Sequence, residues 1–183
     1  MKIALIRHGM TEGNYKKRYI GKIDEALADT EYLNLKYPAC DTVISSPMRR
    51  CLETAEFIYP DAEIIVCPDL RECDFGDFEG KTYEELKNNV SYVKWIASEG
   101  AEPIPNGEAN DDFKERCVNG FRESLSRARE SAAFIIHGGV IMTIMQHIFG
   151  GGFYDYMIRN GGMFLFDYDE KNMRAINGYT TEE

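Results

Sequence analysis

The sequence predicts an α/β fold, a three-layer α/β/α sandwich around a mostly parallel sheet. Short apolar runs alternate along the chain with helical patterns, and this alternation is typical of β-α-β units. The first four runs are nearly continuous in apolar residues, as expected of strands that are covered on both faces. No repeat, low-complexity tract or linker interrupts the pattern, so we expect residues 1–183 to form a single domain.

Six segments are predicted as strands because each is a short apolar run bounded by turn residues or helical patterns. The last of them is a candidate edge strand that follows a turn at DEKN. In chain order the segments are KIALI (2–6), TVIS (42–45), EIIV (63–66), AFII (133–136), MFLFDY (163–168) and MRAI (173–176).

Four helices are predicted between the strands, three of them from apolar residues spaced three and four apart. The second is expected to begin with a capping box formed by Thr82 and Glu85. The apolar positions are Cys51, Leu52, Ala55 and Ile58 in the first helix (48–58), Tyr83, Leu86, Val90, Val93 and Ala97 in the second, and Phe113, Cys117, Phe121, Leu125 and Ala128 in the third.

The fourth helix, 140–149, is apolar nearly all round, which predicts a buried helix that the glycines at 150–152 end. His147 lies within it and is expected to be a histidine of the core or of an interface. The Pro- and Gly-bearing segment 99–110 is interpreted as a loop within the same domain.

Composition excludes several classes of protein. The chain carries 31 acidic and 21 basic residues, a net charge of −10, which argues against nucleic-acid binding because a phosphate backbone needs a basic face. No signal peptide and no apolar stretch of about 18 residues is found, so we expect no membrane association and a cytosolic protein. The five cysteines form no C-x-x-C pair, and we expect reduced, mostly buried thiols.

Basic side chains follow three of the predicted strands. Arg7 and His8 come directly after the first, Arg49 and Arg50 open the helix after the second, and His137 follows the fourth. Ligands of such sheets bind beyond the carboxyl ends of the strands, so these side chains are expected at one edge. The helices that begin there add free backbone N–H donors. Guanidinium groups, imidazoles and backbone amides together suit a phosphate dianion.

Each pattern taken singly has a simpler interpretation. An Arg-His pair after a strand is usually structural, HGG at a strand end is a common turn, and a double arginine at a helix start is usually a solvated face. Their coincidence at three strand ends favours the functional interpretation.

Four segments in this order resemble the histidine phosphatase superfamily, in its phosphoglycerate-mutase-like branch, and two further segments extend the resemblance over nearly the whole chain. The most specific is R-H-G-x-T-x-x-N at 7–14. The four are LIRHGMTEGN (5–14), SSPMRRCLETA (45–55), LRECDFGDFEG (70–80) and IIHGG (135–139), and the other two are NGEANDDFKERC (106–117) and RNGGMFLFDYD (159–169).

The resemblance implies catalysis through phosphohistidine. His8 would be the nucleophile, and it must be neutral to attack phosphorus, a state that nearby guanidinium groups favour. Glu72 would protonate the leaving alcohol and then activate the hydrolytic water, although without the motif it would be interpreted as a surface acid. The implied catalytic residues are His8, Glu72, Arg7, Arg50 and His137, and the implied phosphate-binding residues are Arg7, Asn14, Arg50, His137 and Gly138. No metal and no cofactor is implied.

Some residues depart from the family pattern. Met10 stands where many members carry an acid or a polar residue, and Met142 stands where several small phosphatases have arginine. The segment 24–41 is short. Six aromatic residues are candidates either for the entrance of the site or for the core: Phe75, Phe78, Tyr83, Trp95, Phe153 and Tyr156.

The resulting hypothesis is a phosphomonoesterase that hydrolyses a small phosphorylated metabolite. Among small members of the family, the α-ribazole-5′-phosphate phosphatases of cobalamin synthesis are similar in size and in HGGVI. The alternatives are a phosphoglycerate mutase and a catalytically inactive phosphate-binding adaptor. The sequence leaves the substrate and the oligomeric state open.

Overall fold

A computed structural model describes residues 1–169 and 171–182. The strands are β1 (Lys2–Arg7), β2 (Thr42–Ser45), β3 (Ile64–Val66), β4 (Ser131–Ile136), β5 (Met163–Asp169), β6 (Arg174–Ala175) and β7 (Thr180–Glu182). The helices are α1 (Glu12–Tyr15), α2 (Arg49–Ile58), α3 (Tyr83–Leu86), α4 (Val90–Ala97), α5 (Asn110–Leu125) and α6 (Gly138–Phe149), with 3₁₀ turns at Glu31–Leu33, Pro68–Leu70, Gly76–Phe78 and Phe153–Tyr156.

The strands form one mixed sheet in the order β3-β2-β4-β1-β5-β6, with β7 also paired to β5. β1, β2, β3 and β4 are parallel, whereas β5 runs antiparallel to β1. Arg7 pairs with Ile136 and Ser45 pairs with Ile135, so β1, β4 and β2 end side by side. The mostly parallel sheet predicted from the sequence is confirmed, and its topology places three strand ends at one edge.

Alternate residues of the central strands face two separate cores, as the two-residue period of a strand requires. Leu5 and Phe134 face the core that contains α5 and α6, and the ring of Phe134 lies 5.0 Å from that of Phe121 on α5. Ile6 and Ile135 face the second core, which contains α2. Helices therefore cover both faces of the sheet, as the sandwich prediction requires.

The prediction that the first four strands are covered on both faces is wrong for β3. β3 lies at the edge of the sheet and pairs only with β2. Its residues Ile64 and Ile65 are partly buried and Val66 is 44% exposed. The last predicted strand is shortened to the two residues of β6, and β7 had no counterpart in the prediction.

The single helix predicted after the capping box is also wrong. Thr82 and Glu85 do form the box, but α3 ends at Leu86. The side chain of Asn89 then accepts a hydrogen bond from the backbone of Tyr92 and caps a second helix, α4. Because the cap resets the helical phase, Tyr92 is buried, whereas Val90 is 70% exposed. Tyr83 and Val93, also assigned to the apolar face, are exposed as well.

The other predicted helices are confirmed as α2, α5 and α6. Four of the five apolar positions of the third predicted helix are buried on α5, and Ala128 lies beyond its end. α6 ends at Gly150, whose φ is +76°. The prediction that His147 lies in the core is wrong, because the residue is exposed and accepts a hydrogen bond from Arg122 Nη2 at 2.9 Å; a place in an interface stays a prediction.

The five cysteines are free thiols, and four of them are buried. In the part of the chain that the structure describes, no helix has the length and apolar character needed to cross a bilayer.

Candidate active site

The three strand ends bring the predicted basic residues together. His8 follows β1 and His137 follows β4, and their ring centroids lie 5.2 Å apart with the planes at 66°. Arg50 lies in the first turn of α2, which follows β2. Glu72 follows the turn Pro68–Leu70 and reaches the start of α6, where it accepts a hydrogen bond from Gly139. The arrangement places both imidazoles, a buried guanidinium group and a carboxylate in one neighbourhood.

A cavity of about 510 Å³ opens above this group. Five of the predicted site residues line it: Arg7, His8, Asn14, Glu72 and Gly138. Arg50 and His137 do not line it, and both are completely buried.

His8 presents one ring nitrogen to the site. Its Nδ1 lies 2.7 Å from the carbonyl oxygen of Gly9. A carbonyl only accepts hydrogen bonds, so this contact assigns the proton to Nδ1 and leaves the Nε2 lone pair unprotonated. A neutral imidazole with a fixed Nδ1–H tautomer has a free lone pair on Nε2 that can attack an electrophile.

The environment keeps both histidines neutral. Burial lowers the pKa of His8 well below 6.5, and the positive charges of Arg50 and Arg7 lower it further. Burial also lowers the pKa of His137, with Arg50 again acting in the same direction. His137 Nε2 lies 2.7 Å from the hydroxyl of Ser46, which is itself buried.

The two arginines are held by backbone carbonyls and leave donors unused. Arg7 Nη1 donates to the carbonyl of Ile158 at 2.6 Å. Arg50 donates through Nη1 to Ile23 and through Nη2 to Gly21, both at 2.9 Å. The Nε of each arginine is buried and has no hydrogen-bond partner among the described residues. Leaving a buried donor unpaired costs about 1–3 kcal/mol of stability, and more on a charged group. Two such unpaired donors are typical of a site that binds an anion.

Glu72 is fixed by two backbone donors. Its Oε1 accepts from the amide of Cys73 at 3.0 Å, and its Oε2 accepts from that of Gly139 at 3.1 Å. Burial raises the pKa of Glu72, although these hydrogen bonds and the two arginines act against the shift. A Cβ at position 139 would lie 2.5 Å from Glu72 Oε1, so glycine is required for this approach.

Asn160 is a site residue to which the sequence assigned no role. It is 7% exposed, and its Nδ2 lies 3.0 Å from the carbonyl oxygen of His8, 3.2 Å from that of Gly9 and 3.2 Å from Asn14 Oδ1. Asn160 thus connects the backbone of His8, the predicted nucleophile, to Asn14, a predicted phosphate-binding residue. The RNGG sequence at 159–162 marked the segment, but only the fold shows what the amide contacts.

Asn14 turns its amide nitrogen away from this network. Its Oδ1 accepts from the backbone of Thr11 and from Asn160, both at 3.2 Å. The side chain lines the cavity, and its Nδ2 is the group left to donate to a ligand.

Among the departures from the family pattern, Met142 lines the cavity and Met10 does not. The backbone carbonyl of Met10 accepts a hydrogen bond from Ala28 at 2.8 Å, which ties the first loop to the segment 24–41. Three of the six candidate aromatic residues line the cavity: Phe75, Trp95 and Phe153. Phe78 and Tyr156 are buried in the core, and Tyr83 is exposed.

The part of the chain that the structure describes contains no group of three or more His, Cys, Asp or Glu side chains placed to hold a metal ion.

A family model confirms the resemblance found in the sequence. The model for the histidine phosphatase superfamily (branch 1) matches residues 3–177. The chain belongs to this family. A broad-specificity phosphatase from Saccharomyces cerevisiae is 28% identical over an alignment of 165 residues. The match covers 80% of this chain and 69% of that protein.

Solved structures confirm the phosphoglycerate-mutase-like fold. A phosphoserine phosphatase from Entamoeba histolytica, in complex with 3-phosphoglyceric acid, matches with a TM-score of 0.82 and 23% identity and covers 100% of this chain and 98% of its own. An α-ribazole phosphatase from Shigella flexneri matches with a TM-score of 0.78 and 22% identity. The match covers 97% of this chain and 96% of the phosphatase. At these identities the two matches establish the fold alone.

The first prediction concerns the protonation of the histidines. In spectra of ¹⁵N-histidine-labelled protein, we expect His8 and His137 to be neutral at about pH 6, where a free histidine is about three-quarters protonated. Burial and the two arginines lower both pKa values, so protonation requires a lower pH. Exposed His147 serves as the internal reference and titrates first. A charged His8 at that pH, or a proton on its Nε2, contradicts the assignment.

Proposed function

We propose that the protein hydrolyses phosphate monoesters through a covalent phosphohistidine on His8. One observation carries the proposal: a neutral imidazole with a free Nε2 lies near two arginines, one partly and one fully buried, whose buried Nε–H donors have no partner among the described residues. An entering phosphoryl group would supply acceptors for both donors and an electrophile for the imidazole. Membership of a phosphatase family supports the same chemistry.

The first step transfers the phosphoryl group to the protein. His8 Nε2 attacks phosphorus in line, the P–N bond forms, and the P–O bond to the alcohol breaks. Glu72 gives its proton to the leaving oxygen. Its raised pKa suits this role, because a larger fraction of the carboxyl is protonated near neutral pH than in an exposed glutamate.

The second step returns the protein to its starting state. Water attacks the phosphorus of phosphohistidine, and the Glu72 carboxylate takes the proton of the water. The P–N bond breaks, phosphate leaves, and His8 recovers its neutral imidazole. Glu72 thus acts as acid in one step and as base in the next.

The oxygens of the transferring group need positive charge around them in both steps. Arg7, Asn14 and Gly138 line the cavity and can donate from its walls. Arg50 and His137, which are completely buried, are assigned to the deepest oxygen. Because the guanidinium groups are already held by carbonyls, little reorganisation accompanies the reaction.

Hydrolysis is favoured over the alternative functions. A mutase must retain a phosphorylated intermediate, and only about 65 residues separate Glu72 from His137, which leaves little chain to close over the site. An inactive adaptor is expected to have lost the nucleophile or the acid, and this chain has both. Fold similarity to an α-ribazole phosphatase is compatible with that substrate in a cytosolic, cobalamin-related role, but at 22% identity it does not select it.

The central experiment traps the intermediate. We expect wild-type protein, mixed with p-nitrophenyl phosphate in EDTA and quenched rapidly, to carry one acid-labile phosphoryl group on His8. His8→Ala is expected to lose both the phosphoprotein and turnover. His147→Ala is the matched control and should retain both, because this histidine is exposed and outside the cavity. Full turnover by His8→Ala would refute the proposal.

Glu72→Gln tests the acid–base role through the leaving group. With an alkyl phosphate, whose alcohol must be protonated, we expect turnover to fall by about 10²–10⁴-fold. With p-nitrophenyl phosphate, whose leaving group needs no proton, we expect a burst of one p-nitrophenol per site and then slow turnover, because water activation is lost.

The pH dependence of turnover gives a second test of Glu72 as the acid. In wild type, turnover of the alkyl phosphate should decline as the pH rises through the raised pKa of Glu72, because the acid form disappears. Asp77 is exposed and provides the control substitution Asp77→Asn, which should leave the turnover of both substrates unchanged. Equal losses on both substrates without a burst would count against the assigned role.

A further inference from the structure

The cavity has an aromatic wall. Tyr19, Phe75 and Trp95 line it and meet edge to face, with ring centroids 5.3, 5.7 and 6.1 Å apart. They come from three distant segments of the chain, so their convergence is a product of the fold. The hydroxyl of Tyr19 lies 2.7 Å from that of Tyr92, which fixes its ring in the wall.

A second set of apolar residues lines the same cavity. Phe153 and Tyr154, on the turn Phe153–Tyr156, have ring centroids 5.3 Å apart. Met142, Met157 and Ile158 complete this side. Methionine adapts its shape to flat rings, and its sulfur makes favourable contacts with them. Both sets therefore present apolar surface to whatever is attached to the phosphate.

Apart from Arg7 and Glu72, the charged side chains that line the cavity without an ion pair to a described residue are two cations and two carboxylates. Arg18 and Lys114 line it, but so do Glu99 and Glu102, which form no ion pair with a described residue. Glu108 also lines the cavity, and its carboxylate is paired with Arg116 at 2.7 Å. A second anionic group on a substrate would gain no net attraction there.

We infer, on the basis of the proposed function, that the cavity selects phosphate monoesters of uncharged alcohols that carry an apolar ring. A volume of about 510 Å³ lies in the range of drug-sized ligand pockets, so it holds a ring system as well as a phosphate. Esters whose alcohol carries a carboxylate, such as phosphoserine and 3-phosphoglycerate, leave the aromatic wall uncovered and place that carboxylate in a lining whose unpaired cations and carboxylates are equal in number.

The experiment compares esters of primary alcohols, so that the leaving groups are chemically alike. We expect kcat/KM for 2-phenylethyl phosphate to exceed that for phosphoserine and for 3-phosphoglycerate by about 10- to 100-fold, because only the phenyl ring is buried on binding. A higher kcat/KM for either carboxylate ester would overturn the inference.

Variants of the wall locate the effect. Trp95→Ala is expected to lower kcat/KM for 2-phenylethyl phosphate by about 10-fold, mainly through KM, and to leave phosphoserine within about 2-fold. Phosphoserine turnover therefore shows that the variant is folded. Trp95→Phe should keep most of the preference. Phe57→Ala removes an exposed aromatic residue outside the cavity and should leave kcat/KM for both substrates unchanged. An unchanged preference in Trp95→Ala would exclude the wall as its source.

Binding separates this inference from the proposed function. Trp95 is the only tryptophan of the chain, so its fluorescence reports directly on the cavity. We expect 2-phenylethylphosphonate, which cannot be hydrolysed, to change this fluorescence and to bind at least about 10-fold more tightly than methylphosphonate. If no ester is hydrolysed but this difference is found, the proposed function fails and the selectivity stands. If esters are hydrolysed but the two phosphonates bind equally, the selectivity fails alone.

Discussion

Two guanidinium groups interact at the sheet edge with their Nε atoms buried, and much of the site follows from how the fold tolerates them. Burial lowers the pKa of Arg7, and the like charge of the completely buried Arg50 lowers it further. Carbonyls of Gly21, Ile23 and Ile158 accept their terminal N–H groups, and the Glu72 carboxylate partly offsets the effect on Arg7. The compensation is incomplete, since both Nε donors are left without a described partner. An oxyanion is the ligand that completes it.

The same charges set the protonation of the neighbouring groups. Positive charge and burial act together on His8 and His137 and keep both neutral. On Glu72 they oppose each other, and burial prevails, so its pKa is raised. A neutral imidazole and a carboxyl of raised pKa thus arise from one environment. Close backbone approaches maintain it: a Cβ at Gly21 would lie 1.9 Å from the carbonyl oxygen of Cys73, so the chain can pass there only with glycine.

The sequence predicts the parts of this molecule that depend on local periodicity and on strand ends. α2 and α5 follow from apolar spacing, α6 follows from an apolar run ended by glycines, and the meeting of β1, β2 and β4 at one edge follows from their parallel order. The errors have local causes. Asn89 caps a new helix inside an apolar pattern, and β3 is apolar although it lies at an edge. The exposure of His147 depends on which face of α6 meets α5, which periodicity alone does not give.

Long-range contacts account for what the sequence could not predict in the site. Asn160 joins His8, Gly9 and Asn14 across about 150 residues, and Ser46 meets His137 from a neighbouring strand end. The aromatic wall combines Tyr19, Phe75 and Trp95, of which the first was not among the candidates. Each contact needs the tertiary fold, since no spacing in the chain brings these residues together.

A crystal structure with orthovanadate would show the proposed phosphoryl transfer at His8, because vanadate adopts the five-coordinate geometry of an in-line transfer. We expect vanadium bonded to Nε2 of His8, with the Nε–H groups of Arg7 and Arg50 donating to its oxygens and Glu72 beside the apical oxygen opposite His8. Vanadate bonded to another residue, or bound at His8 with both arginine Nε groups still unpaired, would contradict the proposed transfer.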